Sequence, residues 1–263
     1  MNRIEAKLQE VKKKKEKAFI TYLTAGLPDM DGMKALIRAQ EEAGTDVLEL
    51  GIPFSDPVAD GPVIQAASYK AICQGVNLKT VFQAVAEMRE DGIRIPIVFM
   101  MYYNTILHYG VEPFVRKCEE TGVDGLIIPD LPFEEQDEIG QYLVEETSPI
   151  LIQLVSPVSA DRIPMLLEDA RGFVYCVSSM GVTGQAAEFH REVIQYLEKV
   201  KQSSKIPVMM GFGIRTAADV DVMKDMIDGC IVGSHFIQLM EESDYNTDVA
   251  TEYIETFKQE LNA

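Results

Sequence analysis

The 263-residue sequence predicts an α/β fold, eight parallel strands closed into a ring and wrapped by helices. Three observations carry this. Short runs rich in Val, Ile and Leu alternate with amphipathic helical stretches along the chain. Repeated strand–helix units impose a parallel sheet. Eight such units fit the roughly 250 residues of a (β/α)8 TIM barrel. A doubly wound open sheet is the alternative before motifs are considered. No low-complexity segment or long linker interrupts the alternation, so residues 1–263 read as a single domain.

An extra N-terminal helix is expected over 3–11, ahead of the first strand at 18–23 and its helix at 31–43. The second strand, 46–50, runs into a long loop and a helical stretch over 62–89. Strands at 95–101, 125–128 and 150–155 follow, with helices at 111–121, 134–145 and 160–168. The sixth strand, 172–177, precedes a helix over 188–202; the seventh, 207–210, a helix over 217–226; the eighth, 229–232, a helical pattern from His235 onward. Gly92 and Gly122 stand where left-handed caps would end two helices. Gln153 is the odd residue of the fifth strand and needs hydrogen-bond partners if it faces the barrel interior.

The formal net charge of −18 repels nucleic acid and anionic membrane surfaces. Lys12 to Lys15 form the one basic run, read as the solvated end of the first helix, where cations suit the negative end of the dipole. Four widely spaced cysteines suggest a reducing compartment. The three histidines offer no metal-ligand spacing. The first residues have no apolar core of a signal peptide, and no apolar run approaches the roughly 20 residues of a membrane helix, so a soluble cytoplasmic protein is expected.

In such barrels chemistry sits where the strands' C-terminal ends meet the following loops. Glu49 alternates with Leu48 and Leu50 and should face away from both. An inward carboxylate is suited to acid–base work; its plain alternative is a glutamate paired with a barrel cation. The next loop holds Asp56 and Asp60 among prolines, a composition that suggests a functional lid. The plain role of Asp60, just ahead of Gly61-Pro62, is a helix N-cap. After the sixth strand, which carries Tyr175, comes Gly181-Val182-Thr183-Gly184, by itself a weak signal that could be a turn. Gly211-Phe212-Gly213 after the seventh strand and Gly233-Ser234 after the eighth match the phosphate site common in these barrels. There glycine admits the anion to the backbone, and a helix N-terminus supplies free N–H donors. No lysine ends a predicted strand, which argues against Schiff-base chemistry and leaves carboxylates acting on a phosphorylated substrate.

The runs LELGIPFSDP (48–57) and ADGP (59–62) resemble the signature of the tryptophan synthase α subunit family. So do Tyr102-Tyr103-Asn104, GLIIPDLP (125–132), GVTG (181–184) and GFGI (211–214); the likeness runs from about Phe19 to Ser234. It implies a lyase of tryptophan biosynthesis that splits indole-3-glycerol phosphate into indole and glyceraldehyde 3-phosphate. The resemblance makes Glu49 the general acid–base and Asp60 the acceptor for the indole N–H. It sets Tyr175 by the glycerol, and Tyr102, Met100 and Ile127 around the indole. Gly184, Gly213, Gly233 and Ser234 would hold the phosphate, with Thr183 joining Asp60 when the loop closes. It also implies an α2β2 complex in which indole passes through a tunnel to a β subunit carrying pyridoxal phosphate. The α chain would need no cofactor, and the loops around Asp56 and Thr183 would face the partner. The sequence departs from the family pattern at Ser178-Ser179-Met180, where Ser-Arg-Ser is frequent, and at Tyr22, where phenylalanine is usual. Two rivals stand beside this reading: another phosphate-binding barrel enzyme, and a barrel that binds phosphosugars without catalysis.

Overall fold

In the computed structural model, which describes residues 1–177, 186–211 and 213–263 (186–192 by backbone alone), the strands form one parallel sheet that closes on itself. The chain runs α1 (Arg3–Lys14), β1 (Ala18–Thr24), α2 (Met30–Ala43), β2 (Val47–Gly51), α3 (Pro62–Cys73), α4 (Leu78–Glu90) and β3 (Ile97–Met100). Next come α5 (Tyr103–Tyr109), α6 (Val111–Thr121), β4 (Gly125–Ile127), α7 (Asp137–Gly140), β5 (Ile150–Leu151), β6 (Gln153–Val155) and α8 (Ile163–Leu167). The last elements are β7 (Val174–Val177), α9 (Ala186–Ser203), β8 (Val208–Gly211), a 3₁₀ helix (Ala217–Met226), β9 (Gly229–Val232), α10 (Ser234–Glu242) and α11 (Thr247–Leu261). No helix among the described residues is long and apolar enough to cross a membrane.

The strand order β5-β4-β3-β2-β1-β9-β8-β7-β6 begins and ends on neighbours in sequence. The predicted fifth strand is split between them at Ile152, whose N–H still reaches Leu126 O at 2.9 Å. Its first half bonds β4 and its second half β7, so chain continuity closes the ring. Gln153 faces outward, since Ile152 and Leu154 pack in the barrel interior. Its amide is satisfied by exchange with Gln136, at 2.8 and 3.3 Å.

Helix boundaries depart from the sequence expectation where local chemistry interrupts the pattern. The stretch 62–89 is two helices, because Asn77 accepts from the N–H groups of Lys79 and Thr80 and starts a new one with a capping box. The expected helix at 134–145 is reduced to a 3₁₀ turn at Phe133–Glu135 and the single turn α7, which ends at the poor helix former Gly140. Pro164 lies in the first turn of α8 (Ile163–Leu167), where a missing N–H suits a helix start, three residues later than expected. The short helix α5 was not expected.

Alternation along the strands makes two cores. Outward residues such as Leu48, Leu50, Phe99 and Val174 pack under the helices. Inward residues, among them Ile20, Val47, Val98, Ile127, Phe173 and Met209, fill the barrel. Ile4, Leu8 and Val11 of α1 join that inner group, so the extra helix plugs the end of the barrel where the strands begin. Each of those three side chains contributes about 1.5–3 kcal/mol by leaving water.

The same end is stapled by three aspartates that each precede a strand. Asp46 accepts from Phe19 N (2.9 Å), Asp124 from Ile97 N (2.8 Å) and Asp228 from Val208 N (2.8 Å). Each carboxylate thus ties its own strand to the start of the neighbouring one, and each has a cation: Lys258, Arg89 with Arg3, and Lys201. Asp124 is the most enclosed pairing, with Arg89 at 2.8 Å and Arg3 at 2.7 Å. Asp124→Ala would leave Arg89 buried without its counter-charge. The expected loss is about 3–5 kcal/mol in urea unfolding; a loss within experimental error would show that the staple does not hold the sheet.

Candidate active site

The mouth of the barrel, at the opposite end from α1, is built by the inward positions of the strand ends. On β2, Val47 packs in the interior and Leu48 and Leu50 pack outward, so Glu49 points into the barrel. It stands in register between Tyr22 of β1 and Val98 of β3. One layer further out, Gly51 is in register with Met100 of β3, and Met100 with Ile127 of β4. Glycine is required at 51 because a Cβ there would fall onto the Tyr22 hydroxyl. Across the barrel, a Cβ on Gly211 would meet Tyr175 Oη at 2.7 Å. Two strand-end glycines therefore leave the space into which two phenols lean.

Glu49 is 2% exposed, and its Oε2 has no hydrogen-bond partner among the described residues. No ion pair includes it among those residues, so the plain reading of a glutamate neutralised by a barrel cation does not hold. Burial pushes its pKa from 4.5 up to about 8, and the charge of Asp60 pushes the same way. At neutral pH Glu49 holds its proton. The phenols of Tyr22 and Tyr175 are also shifted upward, by burial first and then by the two carboxylates, and stay neutral.

Asp60 reaches this mouth from the loop between β2 and α3. Ser68 Oγ clips that loop to α3, accepting from Phe54 N (2.9 Å) and donating to Phe54 O (3.0 Å). The Phe54 ring stacks on Tyr102 at 5.1 Å. Tyr102 Oη accepts from Ala59 N (2.9 Å) and donates to Asp60 Oδ2 (3.0 Å). Asp60 is not the N-cap of α3: Gly61 takes that place without any side-chain bond, which leaves the Asp60 carboxylate free for the mouth. Burial raises the Asp60 pKa, opposed by the Tyr102 hydrogen bond. Asp56 sits on the exposed outer part of the loop, where it accepts from Ser55 Oγ (2.6 Å).

On the other side of the mouth, Gly233 caps α10 with no side-chain acceptor, and Ser234, exposed, begins the helix. Gly213 is exposed and has φ +72°. These positions offer backbone donors to an anion with no cationic side chain needed. Thr183 and Gly184 lie outside the described residues. Met100, Tyr102, Ile127 and Tyr175 are thus gathered with Glu49 and Asp60. Sequence reasoning noticed Tyr22 only as a departure from a pattern, and it passed over Phe54 and Ser68, which hold the Asp60 loop. The signal for Tyr22 was available in the inward alternation of Ile20 and Tyr22.

The profile of the family described as tryptophan synthase alpha chain matches residues 8–263. The tryptophan synthase alpha chain of Lachnospira eligens is 64% identical over 100% of both chains. The chain belongs to the tryptophan synthase alpha chain family. A further relative of that name, from Alkaliphilus metalliredigens, is 46% identical over 92% of this chain and 90% of its own. The crystal structure of tryptophan synthase subunit alpha from Legionella pneumophila matches with a TM-score of 0.89 at 32% identity, covering 99% of this chain and 98% of that one. The tryptophan synthase alpha family cleaves indole-3-glycerol phosphate to indole and glyceraldehyde 3-phosphate and passes indole to a β subunit in an α2β2 complex. The chain is accordingly a lyase of tryptophan biosynthesis.

The Glu49 shift has a stability signature. Between pH 4.5 and about 8 the unfolded chain releases a proton that the folded chain keeps, so stability falls as pH rises through that window. Glu49→Gln removes this slope. Its gain over the parent in urea unfolding should therefore grow across the window and level off above about 8. A difference that does not change with pH would show that Glu49 titrates normally.

Proposed function

We propose that Glu49 and Asp60 carry the family's retro-aldol cleavage in this chain. The observation behind this reading is an inward, buried carboxyl that holds its proton at neutral pH and has an unpartnered oxygen, close enough to a second carboxylate to feel its charge. Glu49 delivers its proton to indole C3. The ring nitrogen then carries positive charge, and Asp60 accepts the N–H hydrogen bond and stabilises that cation. The bond from C3 to the hydroxyl-bearing carbon breaks, and its electron pair restores the aromatic ring. As that carbon becomes an aldehyde, its hydroxyl proton passes to the Glu49 carboxylate, which ends as it began. The substrate supplies its own electron sink.

Tyr102, Met100 and Ile127 wall the indole in this reading, and Tyr175 lies by the glycerol. The phosphate is held by Gly213, Gly233 and Ser234, together with Gly184. Thr183 joins Asp60 when its loop closes. The released indole goes to a β subunit, which the loops carrying Asp56 and Thr183 face. A cytoplasmic location belongs to the same proposal; all four cysteines are free thiols, which suits a reducing compartment.

Release of indole from indole-3-glycerol phosphate, measured with and without a β subunit, tests the whole reading, and no release in either condition would overturn it. Glu49→Gln should fold and lose about 10²–10⁴-fold in kcat. Asp60→Asn should lose about 10²-fold. Parental turnover in either variant removes that residue from its role. The parent's kcat/KM should fall above about pH 8, as the free enzyme loses the Glu49 proton; a flat profile there would contradict the acid role. Gly213→Ala strains a backbone at φ +72° and crowds the phosphate, so KM should rise about tenfold with kcat nearly unchanged. An unchanged KM would move the phosphate elsewhere.

A further inference from the structure

At the plugged end of the barrel, remote from Glu49, lies a cavity of about 510 Å³. Its walls are the C-terminal turn of α1, the ends of α9 and α11 and the segments that lead into β1, β8 and β9. Lys12, Lys15, Lys17, Lys201, Lys205 and Lys224 all line it. That gathers six of the chain's 15 lysines around one cavity, in a molecule whose net charge is −18. Among the lining residues only Glu16 and Asp228 oppose them, a surplus of four positive charges in the lining, with Asp225 close enough to act on Lys17. Asp228 is already engaged, by Lys201 at 2.6 Å and by Val208 N at 2.8 Å. Among the described residues, Lys12, Lys15, Lys205 and Lys224 form no ion pair.

Two further observations show that this crowding is built rather than incidental. Lys15 holds φ +60°, a left-handed backbone that glycine normally supplies, and does so at the C-cap of α1 where its side chain lines the cavity. Lys17 is half-buried, its Nζ donating to Ile227 O at 2.9 Å. Burial is the main cause that lowers its pKa; the charges of Lys201 and Lys224 push the same way, against those of Asp228 and Asp225. Like charges held together in a partly enclosed space destabilise the fold unless an anion joins them.

We propose that this cavity binds a small polyphosphate anion, a molecule carrying two or more linked phosphoryl groups. The volume lies within the roughly 300–1,000 Å³ of small-molecule sites. The surplus charge matches an anion of three to four charges, whereas one phosphate group would engage only part of the ring of lysines. Both α1 and α9 present C-terminal ends here, so helix dipoles repel the anion and the ammonium groups must hold it. Lysine suits this, as a flexible point charge that follows a phosphate chain without demanding one geometry. Outside the cavity the acidic surface opposes a strand of nucleic acid longer than the cavity itself. Once bound, the anion links the plug helix α1 to the barrel and stabilises the fold by mass action.

The test is calorimetric titration of the full chain with inorganic tripolyphosphate near neutral pH, with thermal unfolding alongside. Saturable one-to-one binding, a raised Tm and weakening with added salt are expected. Lys205→Gln with Lys224→Gln should weaken binding by at least about tenfold and leave indole release unchanged. Lys15→Gly relieves the strained backbone and removes one cation, so it should raise the Tm of the free chain while weakening binding. Orthophosphate should bind at least about tenfold more weakly than tripolyphosphate. Absence of saturable heat, or equal affinity in parent and double variant, would overturn the proposal. So would competition with indole-3-glycerol phosphate, which would put the anion at the mouth, or equal affinity for a single-stranded oligonucleotide.

Discussion

Burial of the Glu49 carboxyl on a strand of the barrel, with one oxygen left without a partner, is the constraint around which the mouth is arranged. A carboxylate in that place is costly, so the group keeps its proton. Its strand neighbours fix its direction: backbone bonds to β1 and β3 lock β2, and the outward packing of Leu48 and Leu50 allows only one face for Glu49. Gly51 and Gly211 then leave the phenols of Tyr22 and Tyr175 room to close over the barrel core. The enclosure that raises the Glu49 pKa also keeps both phenols neutral.

The second carboxylate is placed by a different kind of restraint. Asp60 lies on a loop, and a loop alone would hold it loosely. The Ser68 clip, the stack of Phe54 on Tyr102 and the Tyr102 hydroxyl turn that loop into a short lever with a fixed end. The outer part, with Asp56 and Val58, stays exposed. One stretch of chain thus combines an anchored acid with an exposed rim.

The two ends of the barrel divide their tasks. At the strand starts, Asp46, Asp124 and Asp228 each join a backbone N–H of the neighbouring strand to a cation, and α1 seals the interior. Charges there are satisfied in pairs, with the lysine-lined cavity as the exception. At the strand ends a carboxyl is left unsatisfied, and α10 begins at Gly233 with no side-chain cap. In the proposed reading, short-range N–H groups at a helix start let a chain of net charge −18 receive a phosphorylated substrate against an unfavourable long-range field.

The repeated strand–helix alternation together with the motifs determined the barrel, and strand alternation set Glu49 on the face opposite Leu48 and Leu50, because that alternation is a local property with a period of two. The motif residues on strands and their loops were legible for the same reason. The split of the fifth strand at Ile152 was not, since pairing with β4 on one half and β7 on the other depends on where the ring closes. Nor could sequence choose between an N-cap and a free carboxylate for Asp60: Gly61 taking the cap and Tyr102, 42 residues away, taking the carboxylate are decided by packing. The Glu49 pKa and the gathering of six lysines at the far end are likewise tertiary facts. The first rests on burial, with the charge of Asp60 second; the other brings residues 12–17 beside residues 201–224.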